Sequence, residues 1–255
     1  MSHHIVAVKD LHYRYADGTA ALRGLTFAIH HGEAVAIVGA NGAGKSTLLL
    51  HLNGCLTPQQ GEVRIGDFPL TKATLPSIRQ TVGMVFQDPD DQLFMPTVEA
   101  DVAFGPLNLG LPPEEVEQRV IAALQQVAAL HLRRRPPHRL SGGEKRAVAI
   151  ATVLAMSPNI LVMDEPTTGL DPRGRRRLIE RLAAFHHTRI IATHDLDLVL
   201  DLCPRTIVIH EGKVTADGPT AAIFSDTDLL AASHLEKPLR LQGCPVCGGK
   251  DFQHP

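Results

Sequence analysis

No apolar run in this 255-residue sequence approaches the roughly 18 residues that a helix needs to cross a bilayer. Met1-Ser2-His3-His4 lacks the succession of basic, apolar and small residues that marks a signal peptide, so the expected location is cytoplasmic. An excess of one charge is lacking too. Lys and Arg number 25 against 27 Asp and Glu, and a net charge of −2 gives no global attraction to nucleic acid or anionic lipid. Arg133-Arg134-Arg135 reads as a solvated helix end, not a binding patch. Four cysteines form no visible secretory disulfide framework, and Cys55 and Cys203, in expected helical surroundings, read as reduced packing residues.

What is present suffices for a sizeable core, since 44% of the residues are hydrophobic. Ile5 to Tyr15, Leu25 to His30 and Gly61 to Ile65 read as strands of an antiparallel layer, with a turn at Ala16-Asp17-Gly18. Ala34 to Val38, Val82 to Phe86, Ile160 to Met163 and Arg189 to Thr193 alternate with helical segments, as in a largely parallel sheet. Between Asp88 and Ser157 the character turns helical. Leu111-Pro112-Pro113-Glu114-Glu115 starts a helix expected to run to about Leu130, with prolines in its first turn and acids at its positive end.

Gly39-Ala40-Asn41-Gly42-Ala43-Gly44-Lys45-Ser46-Thr47 fits G-x-x-x-x-G-K-[ST] between an apolar strand and a helix, the context that a phosphate loop requires. Its glycines allow backbone NH groups to converge on phosphate oxygens, and the following helix adds its positive end. Lys45 is placed for the β and γ phosphates, Ser46 for magnesium, and Thr47 for the α phosphate.

Leu140-Ser141-Gly142-Gly143-Glu144 is a second glycine-marked helix start. Ser141 and Glu144 have capping-box spacing, which begins ordinary helices without binding anything. Ile160 to Met163 ends in Asp164-Glu165, a magnesium-side aspartate beside a candidate catalytic carboxylate. Gln87 and His194 each follow another apolar, β-rich run.

This ordered set resembles the ATP-binding cassette (ABC) ATPase family from Tyr15 to about Phe224. The resemblance implies an α/β, P-loop NTPase of ABC type: a RecA-like parallel sheet with an antiparallel β-layer and an inserted helical subdomain. The expected division is an ATP-binding core over 1–88 and 158–224, a helical signature subdomain over 89–157, and an extension over 225–255. It also implies that Tyr15 stacks on adenine, Gln87 is the Q-loop residue and a metal sensor, and Gly169-Leu170-Asp171 belongs to the D-loop. Asp164 would hold magnesium through water, Glu165 would polarise the attacking water, and His194 would contact the γ phosphate. Ser141, Gly142 and Gly143 would serve the ATP of a second subunit, in a head-to-tail homodimer or a pair with a related ATPase.

Gln87-Asp88-Pro89-Asp90-Asp91-Gln92-Leu93-Phe94 with Asp101-Val102-Ala103-Phe104-Gly105-Pro106 is similar to the energy-coupling-factor (ECF) importer ATPases, a group that drives micronutrient uptake. That implies a peripheral place on the cytoplasmic face of the cell membrane, beside a membrane coupling subunit and a separate substrate-binding subunit. An apolar Leu93-Phe94-Met95 group among acids suits hydrophobic anchors flanked by basic partner residues. The segment Asp101 to Leu111 and the terminal His234-Leu235-Glu236-Lys237-Pro238-Leu239-Arg240-Leu241 look like the cobalt or nickel type. A vitamin importer is the alternative within the group, and a soluble ABC ATPase of translation or DNA repair the alternative outside it. Such soluble proteins carry two cassettes or long coiled-coil insertions, and this sequence shows neither.

Cys244-Pro245-Val246-Cys247-Gly248-Gly249 resembles half of a zinc knuckle. Two such tails, or His254, could complete a zinc site, and a tail without ligand is the other reading. The adjacent pairs His3-His4, His30-His31 and His186-His187 have diverging side chains and are expected at the surface.

Overall fold

The computed structural model describes residues 4–185 and 187–242. β1 (His4–Arg14), β2 (Ala20–His30), β4 (Gln60–Ile65) and β5 (Phe68–Pro69) form an antiparallel sheet in the order β2-β1-β4-β5. A second sheet has the order β10-β9-β3-β8-β7-β6, built from β3 (Ala34–Val38), β6 (Val82–Val85), β7 (Ile160–Asp164), β8 (Thr188–Ala192), β9 (Arg205–His210) and β10 (Lys213–Pro219). Its strands pair in parallel except at the β10 edge, which is antiparallel.

The central strands are continuous apolar runs because both of their faces are covered. In β3, Val35 and Ile37 join the core beneath the antiparallel layer, while Ala36 and Val38 join the core on the opposite face. In β7, Ile160 and Val162 face the first core, and Leu161 and Met163 the second. A period of two thus divides one apolar run between two cores.

α1 (Lys45–Leu52) follows the phosphate loop, and α2 (Leu75–Thr81) precedes β6. Then come α3 (Val98–Asn108), α4 (Pro113–Gln126) and α5 (Gly142–Leu154), which pack on one another. Thr97 caps α3 by accepting from the Ala100 NH. α4 buries Val116, Val120, Ala123 and Leu124 along one stripe and ends at Gln126, short of the expected Leu130, where Ala128 turns to φ 50°. Arg133 is no solvated helix end. It joins Glu99 of α3 to Glu117 of α4.

α6 (Pro172–Ala183) and α7 (Leu196–Leu202) flank β8, and α8 (Thr220–Ser225) and α9 (Thr227–Ala232) follow β10. Phe224 and Leu230 are buried in the second core. β2 begins at Ala20, five residues before the expected Leu25, and continues through Gly24 at φ 90°. β9 and β10 were outside the expected strands. Cys203 is buried at the end of α7, where burial pushes its thiol up to about 12. Cys55, in contrast, is exposed in the bend after α1 and belongs to neither core.

Candidate functional site: a nucleotide cavity

β3 delivers the chain into the loop Gly39 to Gly44, and two glycines are required there for different reasons. A Cβ on Gly39 would stand 2.2 Å from the Ile209 carbonyl oxygen, so the loop can cross β9 only without a side chain. Gly44 has φ +105° and would place a Cβ 2.6 Å from the Ala21 carbonyl oxygen. Ala43 accepts from the Gly212 NH at 3.0 Å, which pins the loop from behind.

Lys45 is 7% exposed and donates to the carbonyls of Gly39 at 2.8 Å and Ala40 at 3.1 Å. Burial holds its ammonium below the ordinary lysine range, and Glu165 and Asp164 oppose that shift. Tyr15 hydrogen-bonds Thr47 Oγ1 at 3.0 Å through its hydroxyl and meets the Tyr13 ring edge-on. His51, wholly buried, packs on Tyr13 and bonds the Thr47 carbonyl through Nδ1 at 2.7 Å. The aromatic side of the cavity is therefore tied directly to α1.

Asp164 ends β7, and burial raises its carboxyl above the usual range, opposed by the Ser46 hydroxyl that bonds it and by the Lys45 and Arg146 charges. Its Oδ1 is buried without a hydrogen-bond partner among the described residues. A buried carboxylate oxygen lacking a partner, beside a serine hydroxyl, is a hard-oxygen set that fits magnesium. Glu165 follows in a left-handed conformation, φ 46°, and is 6% exposed. Its Oε2 accepts from Thr193 Oγ1 at 3.0 Å and the His194 NH at 3.3 Å, with His194 Nδ1 at 2.8 Å.

One cavity of about 540 Å³ is lined by Tyr15, Asn41, Gly42, Gly44, Lys45, Ser46, Thr47, Gln87, Asp164, Glu165 and His194. Segments from five regions of the sequence thus converge on it. Gly39, Ala40 and Ala43 shape the loop from behind. The signature lies apart: Ser141 caps α5 in a complete capping box with Glu144. Gly142 lines an intervening cleft with Ser46, Gln87 and Asp164, whereas Ser141 and Gly143 face a different cleft beside Gly169-Leu170-Asp171. The capping-box reading of this segment holds in the geometry.

Three residues that the sequence did not single out connect these parts. Arg146, 3% exposed on α5, donates to the carbonyls of Phe86, at 2.7 Å, and Gln87. Gln92 accepts from the Phe86 NH and donates to Ala149 O and Thr152 Oγ1. Asp195 caps α7 and forms a forked pair with Arg175 of α6. Among the acids after Gln87, Asp90 is paired with Lys145 of the same chain and Asp88 caps the turn Pro89–Asp91. Leu93 is buried, while Phe94 is 63% exposed and edge-on to Phe104 at 5.0 Å. The apolar surface near the Q-loop is therefore made by Phe94 with Phe104 instead of Leu93.

Cys244, Cys247 and His254 lie outside the described residues, as do His3 and His186. Among the described residues no cluster of three His, Cys, Asp or Glu could hold a metal ion, and no helix is long and apolar enough to cross a membrane. His30, His31 and His187 are exposed as expected.

A largely parallel sheet with a phosphate loop after β3, and an Asp-Glu pair at the end of β7, the next strand but one, defines a P-loop nucleoside triphosphatase. The ABC transporter family model matches residues 22–168. An ABC transporter ATP-binding protein of Geobacter sulfurreducens is 70% identical over 97% of this chain and 100% of its own length. The energy-coupling factor transporter ATP-binding protein EcfA of Methanocaldococcus jannaschii is 50% identical over 92% of this chain and 86% of its own. CbiO1 of Clostridium perfringens, part of the ABC transporter complex CbiONQ, superposes with a TM-score of 0.79 at 41% identity, over 91% of this chain and 94% of that one. The chain belongs to the ABC transporter family, as an ATP-binding subunit of the energy-coupling-factor type. It is an ATPase.

Proposed function

We propose that this chain is the motor of an ECF importer for cobalt or nickel ions, in which two cassettes close head to tail over two ATP molecules. One observation carries the arrangement: Lys45, Ser46, Asp164, Glu165 and His194 share a cavity that Ser141 and Gly143 do not line. A site assembled from two subunits accounts for Ser141 and Gly143 lining a cleft apart from their own phosphate loop. A dimeric cassette structure in a post-hydrolysis state, bound to ADP and phosphate, is similar at TM-score 0.77 and 29% identity, covering 84% of this chain and 98% of that one.

In this reading Tyr15 stacks on adenine, Gly39 to Thr47 enclose the phosphates, and Lys45 moves its ammonium from the loop carbonyls to phosphate oxygens. Ser46 and Asp164, with Gln87, would hold magnesium, which would supply charge neutralisation at the β and γ phosphates. Glu165 accepts a hydrogen bond from the attacking water, and His194 donates toward the γ phosphate while keeping Glu165 oriented. Ser141, Gly142 and Gly143 of the other subunit complete the phosphate contacts through hydroxyl and backbone NH groups.

The exposed Phe94 and Phe104 would supply an apolar contact for a membrane coupling subunit, which supports a peripheral position on the cytoplasmic face of the membrane. The ion rests on the likeness to CbiO1 and on the sequence from Asp101 to Leu111. Purification from mildly solubilised membranes tests it. A coupling subunit and a nickel- or cobalt-binding subunit should accompany the chain, and ATP-dependent uptake of one of those ions should be lost in Lys45→Ala. A ribosome or DNA complex in their place refutes the reading, and a vitamin-binding subunit refutes the ion. Zinc at Cys244 and Cys247 is tested separately, by metal analysis of the wild type against Cys244→Ser.

A further inference from the structure

Packing alone gives α1 no reason to carry a histidine in its last turn. His51 is wholly buried, and Leu48, Leu49 and Leu52 around it on the helix are buried too. Burial holds its imidazole below the ordinary 6.5, opposed by backbone groups of Thr47 and Thr57, so the ring is neutral at pH 7. Nδ1 lies 2.7 Å from the Thr47 carbonyl oxygen, which can only accept, and therefore carries the proton. Nε2 is then a buried acceptor with no donor among the described residues. A leucine would fill the same apolar surroundings and leave no acceptor unmet.

What the imidazole does complete is a circuit of four residues. It meets the Tyr13 ring edge-on with centroids 4.9 Å apart, and Tyr13 meets Tyr15 in the same manner at 5.1 Å. Tyr15 returns to α1 through its hydroxyl, 3.0 Å from Thr47 Oγ1, and the Thr47 carbonyl accepts from His51 one helical turn further on. Tyr15 is 37% exposed and lines the nucleotide cavity, whereas Tyr13 and His51 line none of it. Rotation of the Tyr15 ring about its hydroxyl contact is opposed by Tyr13, and Tyr13 is backed by a ring whose own rotation the Thr47 carbonyl stops.

We propose that His51 is a positioning residue for the nucleotide base, setting through Tyr13 the angle at which Tyr15 presents its ring to adenine. This role rests on Tyr15 stacking on adenine, as proposed above, and adds the buried group that orients the stack. Edge-on aromatic contacts are directional, because a positive ring edge seeks a negative ring face. An imidazole fixed by its proton therefore holds Tyr13 in one orientation, where a leucine would let it tilt. Affinity for the base then depends on a side chain that never touches it.

Steady-state ATP hydrolysis by the full chain tests this. His51→Leu should raise KM for ATP about two- to tenfold, the scale of one edge-on aromatic contact, with kcat unchanged. α1 also carries Lys45 and Ser46, so a role limited to supporting that helix would lower kcat as KM rises. On a Tyr15→Ala background the same substitution should add nothing, because its effect passes through Tyr15. Tyr13→Leu reaches the circuit from β1 without altering α1 and should reproduce the rise in KM, which keeps the test open if His51→Leu does not fold.

A fall in kcat in both leucine variants, an unchanged KM in both, or an equal rise in KM with and without Tyr15 overturns the proposal. Tyr15→Ala by itself separates the two failures. If it leaves KM unchanged, the stacking of Tyr15 on adenine fails; if it raises KM while His51→Leu and Tyr13→Leu do not, only the positioning role fails.

Discussion

His194 Nδ1 lies 2.8 Å from Glu165 Oε2, and the same oxygen also accepts from Thr193 Oγ1 and the His194 NH. Three donors from the end of β8 converge on one carboxylate oxygen. The other, Oε1, is left to face the cavity. Orientation of that free oxygen decides where a water can be polarised, and His194 is placed to control it.

Glu165→Gln should therefore bind ATP normally and hydrolyse it ~10²- to 10⁴-fold more slowly, the usual contribution of a positioned base. His194→Ala should also slow turnover while sparing nucleotide affinity. Single-turnover hydrolysis with an independent binding measurement checks both. Near-normal turnover by Glu165→Gln would remove that residue from the mechanism.

Arg146 ties α5 to the Q-loop by bonds to the carbonyls of Phe86 and Gln87. Arg146→Ala leaves these carbonyls without that donor, at about 1–3 kcal/mol for each unsatisfied group. The expected result is a lower melting temperature, a fall in kcat and a higher magnesium requirement, with ATP affinity at the phosphate loop little changed. Amide exchange should accelerate at residues 86–88 ahead of the rest of the chain. Uniform acceleration would mean that Arg146 only supports the core.

Asp101 is buried at the start of α3, and burial raises its carboxyl above the ordinary 3.8, opposed by the NH groups of Met95 and Phe94. A raised carboxyl makes the folded state bind its proton more readily than the unfolded state does. Its stabilising effect is complete below pH 3.8 and is lost as pH rises through the folded value. Asp101→Asn should accordingly melt higher than wild type at pH 7, and the difference should shrink toward pH 3.8. A gap that does not change with pH would show that titration of Asp101 is not its source.

Tyr15 reaches Thr47 through its hydroxyl and rests on Tyr13. Tyr15→Phe removes the bond but keeps the ring, so it should raise KM for ATP less than Tyr15→Ala, with kcat nearly unchanged in both. Equal KM values for the two variants would place the interaction in the hydroxyl and not the ring.

What the sequence disclosed was local. The phosphate loop, the Asp-Glu strand end and the Ser141-to-Glu144 box each occupy a short run whose spacing dictates its geometry, and the structure places each as that spacing requires. Arg146, Gln92 and Asp195 act across 20 to 60 positions, on the Phe86 carbonyl, the Thr152 hydroxyl and the Arg175 guanidinium, and no local spacing announces partners so far apart. β2 escaped its first five residues because Arg23 and Gly24 interrupt the apolar pattern, and Gly24 takes a positive φ that strands seldom use. Cys55 was misplaced for a similar reason. The apolar run of α1 ends at Leu52, and the Asn53-Gly54 turn that follows takes the cysteine out to solvent.

An ATP site shared by two cassettes requires ATP to bring two chains together, and the molecular mass of Glu165→Gln in solution, by light scattering with and without ATP, tests this most directly. Addition of ATP should double the mass, and adding Ser141→Arg should keep the protein monomeric while nucleotide binding persists. A Glu165→Gln, Ser141→Arg chain that still dimerises with ATP, or a Glu165→Gln chain that binds ATP and stays monomeric, would contradict it.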